Sequence, residues 1–164
     1  QIGKPGHIIA SPSSPRDLAQ IEALGDAEVR KWRQTLLVDV SAECRLAVTE
    51  AWLRIALRNL VDNALRYAGE GARVEVRLAR RGSDCILSVA DDGPGVAPDL
   101  RSQLSARFVR GEVEAEGCGL GLSIVARIAA LSHAQLELGD GLPRAEGGHG
   151  FAVSLRFSAV AGTA

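Results

Sequence analysis

Two asparagines on one helical face are the first residues whose spacing suggests chemistry. In the stretch RNLVDNALRYA, Asn59, Asn63 and Tyr67 recur at intervals of four, and Arg66 stands beside them. At about 100° per residue the first three fall within roughly 80° of one another, away from the apolar stripe of the same helix. Asn is a mediocre helix former because its amide competes with the backbone. Amide oxygens are suitable ligands for Mg²⁺, and the guanidinium of Arg66 could bind phosphate. Alternatively, these residues form a solvated helix face that binds no ligand.

A second candidate is the acid–glycine corner DDGPGV at 91–96, which ends an apolar stretch. The ionised carboxylate of Asp91 only accepts hydrogen bonds, so it can take one from an exocyclic amine such as that of adenine. Gly93 and Gly95 remove side chains that would keep a flat base from the backbone. The structural alternative is a plain turn in which Asp91 is a cap, which is the commoner role of such a corner.

A third candidate is the glycine cluster GCGLGL at 117–122, which opens an apolar helix. Its spacing differs from the dinucleotide fingerprint, and the chain has no phosphate-binding loop of the G-x-x-x-x-G-K-[ST] type. The free N–H groups and the positive end of the helix dipole could hold an anion there. A glycine loop without a ligand is again the alternative.

Composition limits the classes of function. The 164 residues, 46% of them hydrophobic, indicate one ordinary domain. Only Lys4 and Lys31 are lysines, so phosphate would be met by Arg, by backbone N–H groups or by a metal. Twenty acids against 19 bases argue against a broad nucleic-acid surface. No apolar run is long enough for a membrane span, and no signal peptide is evident.

Cysteine and methionine usage adds two expectations. Three cysteines without a C-x-x-C pair argue against a disulfide framework and suit a reducing cytoplasm. Because the chain contains no Met, even at position 1, we expect a fragment of a longer protein.

The periodicity predicts an α/β two-layer sandwich with its helices on one face. Residues 1–15, rich in Pro, Gly and Ser, are predicted to be a linker, and 16–34 a helical lead-in. The later elements are strands at 35–40, 45–48, 72–78, 84–91, 134–139 and 150–157, and helices at 50–67 and 119–134.

In this order the motifs resemble the ATP-binding catalytic domain of bacterial sensor histidine kinases, in the GHKL ATPase superfamily. NLVDNALRYA resembles the N box, DDGPGV the first glycine box, FVRGE at 108–112 the F box and GCGLGLSIV the second glycine box. The resemblance covers about 35–158. One departure is Ser105, where the family's F box often begins with Phe.

The resemblance implies a Bergerat fold over 35–160, with a mixed sheet of about five strands, about three helices and a mobile ATP lid over about 97–118. Asn63 would coordinate Mg²⁺ and Asn59 would support the phosphates. Arg66 and the lid's Arg110, with Arg107 as a further candidate, would reach phosphate oxygens, and Phe108 would anchor the lid. The residues implied to contact or shape the nucleotide are Asn59, Asn63, Arg66, Tyr67, Asp91, Gly93, Gly95, Gly117, Gly119, Gly121 and Leu122.

The resemblance also implies a protein histidine kinase that binds Mg-ATP and phosphorylates a histidine on a separate dimerisation and phosphoacceptor domain. His7, His133 and His149 lack the acidic neighbour of that histidine, so we expect it outside this chain. The further partner implied is a response regulator receiver domain. No nucleic acid or direct membrane contact is implied, and the domain would be the cytoplasmic part of an inner-membrane sensor.

Three alternatives share the fold. Serine-kinase anti-sigma factors, like gyrase-type and mismatch-repair ATPases, use Glu where Asn59 stands, to activate a hydroxyl or water. An amide cannot take that proton, so both are disfavoured. A GHKL nucleotide-binding regulatory module without kinase activity stays open.

Overall fold

The computed structural model describes residues 7–10, 34–40, 44–109 and 119–158. It contains a mixed sheet covered by helices, as predicted. In chain order the elements are β1 His7–Ala10, β2 Thr35–Val40, β3 Cys44–Ala47, α1 Glu50–Ala68, β4 Arg73–Arg81, β5 Asp84–Asp91, α2 Pro98–Val109, α3 Gly119–Leu131, β6 Gln135–Pro143 and β7 His149–Phe157.

The main sheet has the order β2-β4-β5-β7-β6. β2 runs parallel to β4, and every other neighbouring pair is antiparallel. The sequence alternation of β4 is reproduced in its burial, because Val74, Val76 and Leu78 are buried while Arg73 and Arg77 are exposed. The buried face packs against α1 and α3, which also pack against each other, so the core lies between the sheet and the helices.

Helix α1 is fixed at both ends. Thr49 is its N-cap, and its side-chain oxygen accepts a hydrogen bond from the Trp52 N–H at 3.2 Å. At the other end, the buried Gln34 donates from Nε2 to the carbonyls of Leu65 at 2.6 Å and Gly69 at 2.8 Å. These carbonyls are among those that a helix end leaves unpaired. Gln34 therefore joins the start of β2 to the end of the helix that carries both asparagines.

A small second sheet was not predicted. Strand β1 pairs antiparallel with β3, although residues 7–10 fall within the segment predicted to be a linker. The consecutive isoleucines Ile8 and Ile9 favour an extended strand, and the surrounding Pro, Gly and Ser residues obscured that short signal.

The cysteine expectation is also corrected. Cys44 on β3 and Cys85 on β5 form a disulfide, with Cα atoms 6.1 Å apart. An odd number of cysteines leaves one over but does not prevent one pair. Spacing along the chain could not show that β3 and β5 bring these two together.

None of the helices in the described parts of the chain has the length and apolarity that crossing a bilayer requires.

Candidate functional site

A cleft of about 230 Å³ opens between the helices and the sheet. Its walls are largely apolar, which suits a flat organic ring. It brings together three of the sequence motifs, since the N box, the first glycine box and the start of α3 all contribute. The lining residues are Leu60, Asn63, Ala64, Tyr67, Val89, Asp91, Pro94, Gly95, Val96, Leu100, Leu104, Leu122, Phe151 and Val153.

Asp91 is the buried acid of this cleft and the last residue of β5. Its Oδ1 accepts hydrogen bonds from the backbone N–H groups of Gly93 at 2.8 Å and Phe151 at 3.3 Å. Among the described residues no hydrogen bond is made to Oδ2. Burial raises the pKa of the Asp91 carboxyl above its ordinary value, and the two backbone N–H groups partly offset the rise.

Two predicted glycines are required by close packing at this corner. A Cβ on Gly93 would lie 2.6 Å from the Cα of Ala68, so any side chain would push the corner away from the end of α1. Gly95 has φ +76°, and a Cβ there would lie 2.8 Å from the His149 carbonyl oxygen. The first glycine box therefore fixes Asp91 against α1 and β7.

Two further glycines shape the site and were missed. A Cβ on Gly141 or on Gly150 would collide with the main-chain oxygen of Asp91. Both lie in strands, β6 and β7, and an isolated glycine in a strand often marks a close backbone approach. Gly150 was predicted only as the first residue of the last strand, because nothing local shows that β7 passes beside β5.

The two asparagines point their oxygens at one place. Asn59 donates from Nδ2 to the Ile55 carbonyl at 2.8 Å, which leaves its Oδ1 facing Gly121 of α3. A Cβ built on Gly121 would lie 3.1 Å from Asn59 Oδ1 and 3.3 Å from Asn63 Oδ1. The absent side chain thus leaves a space bordered by two neutral oxygens, and that donor set fits a Mg²⁺ ion completed by water and phosphate. In the described ranges no group of three or more His, Cys, Asp or Glu residues offers another metal site.

The other predicted site residues differ in where they lie relative to the cleft. Tyr67 is 57% exposed at the rim of the cleft, and Arg66 is exposed on the last turn of α1. Gly119 begins α3, and Leu122 is buried in the cleft wall. Two residues, Arg110 and Gly117, lie outside the described residues, and so do the side chains of Arg107 and Phe108 in α2.

The first half of the predicted lid is helix α2. Leu100 and Leu104 line the cleft, and Arg101 pairs with Asp140 of β6 at 2.7 Å. The hydrogen bond from Arg101 lowers the pKa of the Asp140 carboxyl. The helix was not predicted because few apolar residues mark its periodicity, so its sequence resembled a polar loop.

The family model described as histidine kinase-, DNA gyrase B- and HSP90-like ATPase matches residues 48–160. The chain belongs to this family. Membership carries ATP binding as the family's common property and confirms the fold expected from the sequence motifs.

The relatives are sensor kinases. Sensor protein kinase PmrB of Pseudomonas aeruginosa is 43% identical over 95 residues, covering 57% of this chain and 20% of PmrB. Sensor protein BasS of Escherichia coli is 40% identical over 107 residues, covering 65% of this chain and 29% of BasS. The chain therefore spans less than a third of either relative. The structure of full-length ShkA in complex with AMPPNP matches 99% of this chain and 33% of that one, with a TM-score of 0.71 and 26% identity.

Proposed function

We propose that this chain is the catalytic domain of a sensor histidine kinase, which binds Mg-ATP and transfers the γ-phosphoryl group to a histidine on another domain. The observation that carries the proposal is one cleft lined by the buried acceptor Asp91 and by Asn63, with the amide oxygen of Asn59 next to that of Asn63 beside Gly121. The relatedness to sensor kinases and the AMPPNP bound to ShkA support it.

We infer a direction for the nucleotide from the positions of these residues along α1. The Asp91 corner abuts Ala68 at the C-terminal end of α1, because Gly93 packs on that residue. Asn59 lies nine positions earlier, which is about 13 Å along the helix. We infer that the base lies by Asp91 and that the triphosphate runs toward the N-terminus of α1. That span suits a nucleoside triphosphate.

The base would be recognised by shape and one hydrogen bond. Asp91 Oδ2 accepts from the adenine amine, while Leu60 and Val89 contribute apolar walls. Guanine presents a carbonyl at the same position, which a carboxylate oxygen would repel. This difference makes the cleft selective for adenine.

The phosphates would be held by charge and by hydrogen bonds. Mg²⁺, held by Asn63 with Asn59 beside it, would neutralise phosphate charge. The exposed Arg66, the lid's Arg110 and the N–H groups that begin α3 supply further positive potential. Phosphoryl transfer depends chiefly on such positioning and charge neutralisation.

The kind of acceptor follows from the N box, where the described residues place the amide of Asn59 and not a proton-accepting carboxylate. An amide such as Asn59 takes no proton near neutral pH, so a hydroxyl or a water would not be activated there. A neutral imidazole needs no such help. Its unprotonated nitrogen bonds to the γ-phosphorus as the bond to the β–γ bridging oxygen breaks and ADP leaves. The proton on the other ring nitrogen passes to water.

We infer the partners from the relatedness to sensor kinases. The histidine belongs to a dimerisation and phosphoacceptor domain, and a response regulator receiver domain takes the phosphoryl group onward. Because ATP is an intracellular substrate, we place the domain in the cytoplasm.

The test mixes the chain with γ-labelled ATP, Mg²⁺ and the histidine-bearing hairpin, which is the pair of helices in the parent protein's dimerisation and phosphoacceptor domain that carries the acceptor histidine. Label that is stable to base and labile to acid supports the kinase. Tight ATP binding without transfer would instead indicate a regulatory nucleotide-binding module.

A further inference from the structure

The first turns of α1 expose two large apolar side chains on the helix face that carries the asparagines. Trp52 is 36% exposed and Ile55 is 45% exposed. At about 100° per residue, both lie within roughly 80° of Asn59 and Asn63 around the helix axis. The Ile55 carbonyl also accepts the Asn59 amide, so this apolar pair directly adjoins the amide site.

Other exposed large apolar residues in the described ranges have a different setting. Tyr67 and Leu100 line the nucleotide cleft. Leu37 on β2 and Leu131 at the end of α3 lie on separate elements. Single exposed apolar residues are common on protein surfaces and need no explanation. A neighbouring Trp and Ile in line with a reaction centre are a stronger indication of an interface.

The charges around this pair satisfy one another within the helix. Arg54 pairs with Glu50 at 2.7 Å, and Arg58 lies 3.8 Å from Asp62. The surface is thus two apolar residues beside balanced ion pairs, which resembles the apolar centre and polar rim of an interface. Within the described part of α1 it offers no excess charge for nucleic acid or an anionic membrane, and it fits the apolar face of an amphipathic helix.

The proposed direction of the nucleotide indicates which helix would bind to this surface. With the base at the C-terminal end of α1, the γ-phosphate would lie by Asn59, about one helical turn from Ile55. An acceptor therefore approaches over the first two turns of α1.

We propose that Trp52 and Ile55 dock the helix that bears the phosphoacceptor histidine and so bring its imidazole to the γ-phosphate. This inference rests on the proposed function, because it names the surface through which that transfer occurs. Docking would convert a collision between two domains into an oriented encounter.

The experiment compares Trp52→Gln, Ile55→Glu and the double variant with the wild type. Leu131→Glu is the matched control, because it adds the same charge at an exposed leucine on another helix. Each protein is titrated with a fluorescent ATP analogue and Mg²⁺, and transfer of labelled phosphate is then measured against the concentration of the parent's histidine-bearing hairpin. Melting curves verify folding, and Trp52→Phe should restore transfer by keeping an aromatic surface.

We expect every variant to bind nucleotide within about twofold of the wild type. The half-saturating hairpin concentration should rise at least about tenfold in the double variant and stay unchanged in the control. In a Trp32→Phe background, Trp52 is the sole tryptophan, so its emission should shift to the blue when the hairpin binds.

The experiment distinguishes failure of the docking proposal from failure of the proposed function. Unchanged hairpin dependence in the double variant, with transfer intact, overturns the dock and leaves the kinase standing. Weakened nucleotide binding in the double variant also overturns it, because the pair would then belong to the nucleotide site. Absence of transfer by the wild type despite ATP binding overturns the proposed function. In that case the Trp52 emission still tests docking by itself. Absence of a blue shift when the hairpin is added would overturn the docking proposal.

Discussion

The side-chain oxygens of Asn59 and Asn63 border the space that a side chain on Gly121 would fill, at 3.1 and 3.3 Å from an ideal Cβ. The asparagines belong to α1 and the glycine to α3, so this part of the site exists only because the two helices pack together. A small residue at 121 is therefore a requirement of the site.

Gly121→Ala should weaken Mg-ATP binding by roughly three- to tenfold, because the added methyl group forces both amides to move by a few tenths of an ångström. Binding of ADP without Mg²⁺ should change little, since the base end is untouched. Calorimetric titration measures both affinities. Gly139→Ala is the control, because nothing lies within 4 Å of a Cβ there. An equal loss in both variants would remove Gly121 from the metal site.

Asp91→Asn should weaken adenine-nucleotide binding at least about tenfold, because an amide group in place of the carboxylate can present an N–H to the adenine amine. Fluorescence titration measures the affinity. Unchanged affinity would remove Asp91 from the site.

The same variant should alter stability with pH. Because burial raises the pKa of Asp91, ionisation costs the folded state more than the unfolded one. The contribution of this group to stability is present below its ordinary pKa and is lost as pH rises through the raised value. Wild type should therefore lose stability relative to Asp91→Asn across that window, as urea unfolding at a series of pH values would measure. A constant difference between the two proteins would contradict the raised pKa.

Gly150→Ala should destabilise the fold by about 1–3 kcal/mol, because its methyl group would meet the main chain of Asp91 and push β7 from β5. Urea unfolding gives the free-energy difference, with Gly139→Ala again as the control. A neutral Gly150→Ala would mean that the strands do not approach as closely as described.

His133→Gly should stabilise the protein by about 0.5–1 kcal/mol. His133 has φ 53° at the end of α3, where the Ala134 N–H bonds to the Ala129 carbonyl at 2.9 Å. Glycine adopts this left-handed conformation without the cost that a Cβ imposes. Thermal unfolding measures the change, and a lower melting temperature would show that the imidazole contributes contacts of its own.

Local patterns predicted most of the fold. The alternation of apolar and polar residues in β4 and β5 and the apolar stripe of α1 were sufficient to predict these three elements, because each pattern repeats within a single element. The turn between β4 and β5 has a local cause as well, because Gly82 there has φ 59°.

What escaped prediction depends on contacts between distant segments. The Cys44–Cys85 disulfide, the fit of Gly141 and Gly150 against Asp91, and the buried Gln34 at the end of α1 all join residues far apart in the chain. Helix α2 was missed for a different reason. It is fixed by Leu104 and by the Arg101–Asp140 pair and not by a strong apolar period.

The most direct test of the account is a crystal structure with AMPPNP and Mn²⁺, in which anomalous scattering locates the metal. We expect the adenine amine within hydrogen-bond distance of Asp91 Oδ2, and the metal peak beside Asn63 in the space next to Gly121. A nucleotide bound in the opposite direction, or a metal peak away from both asparagines, would contradict it.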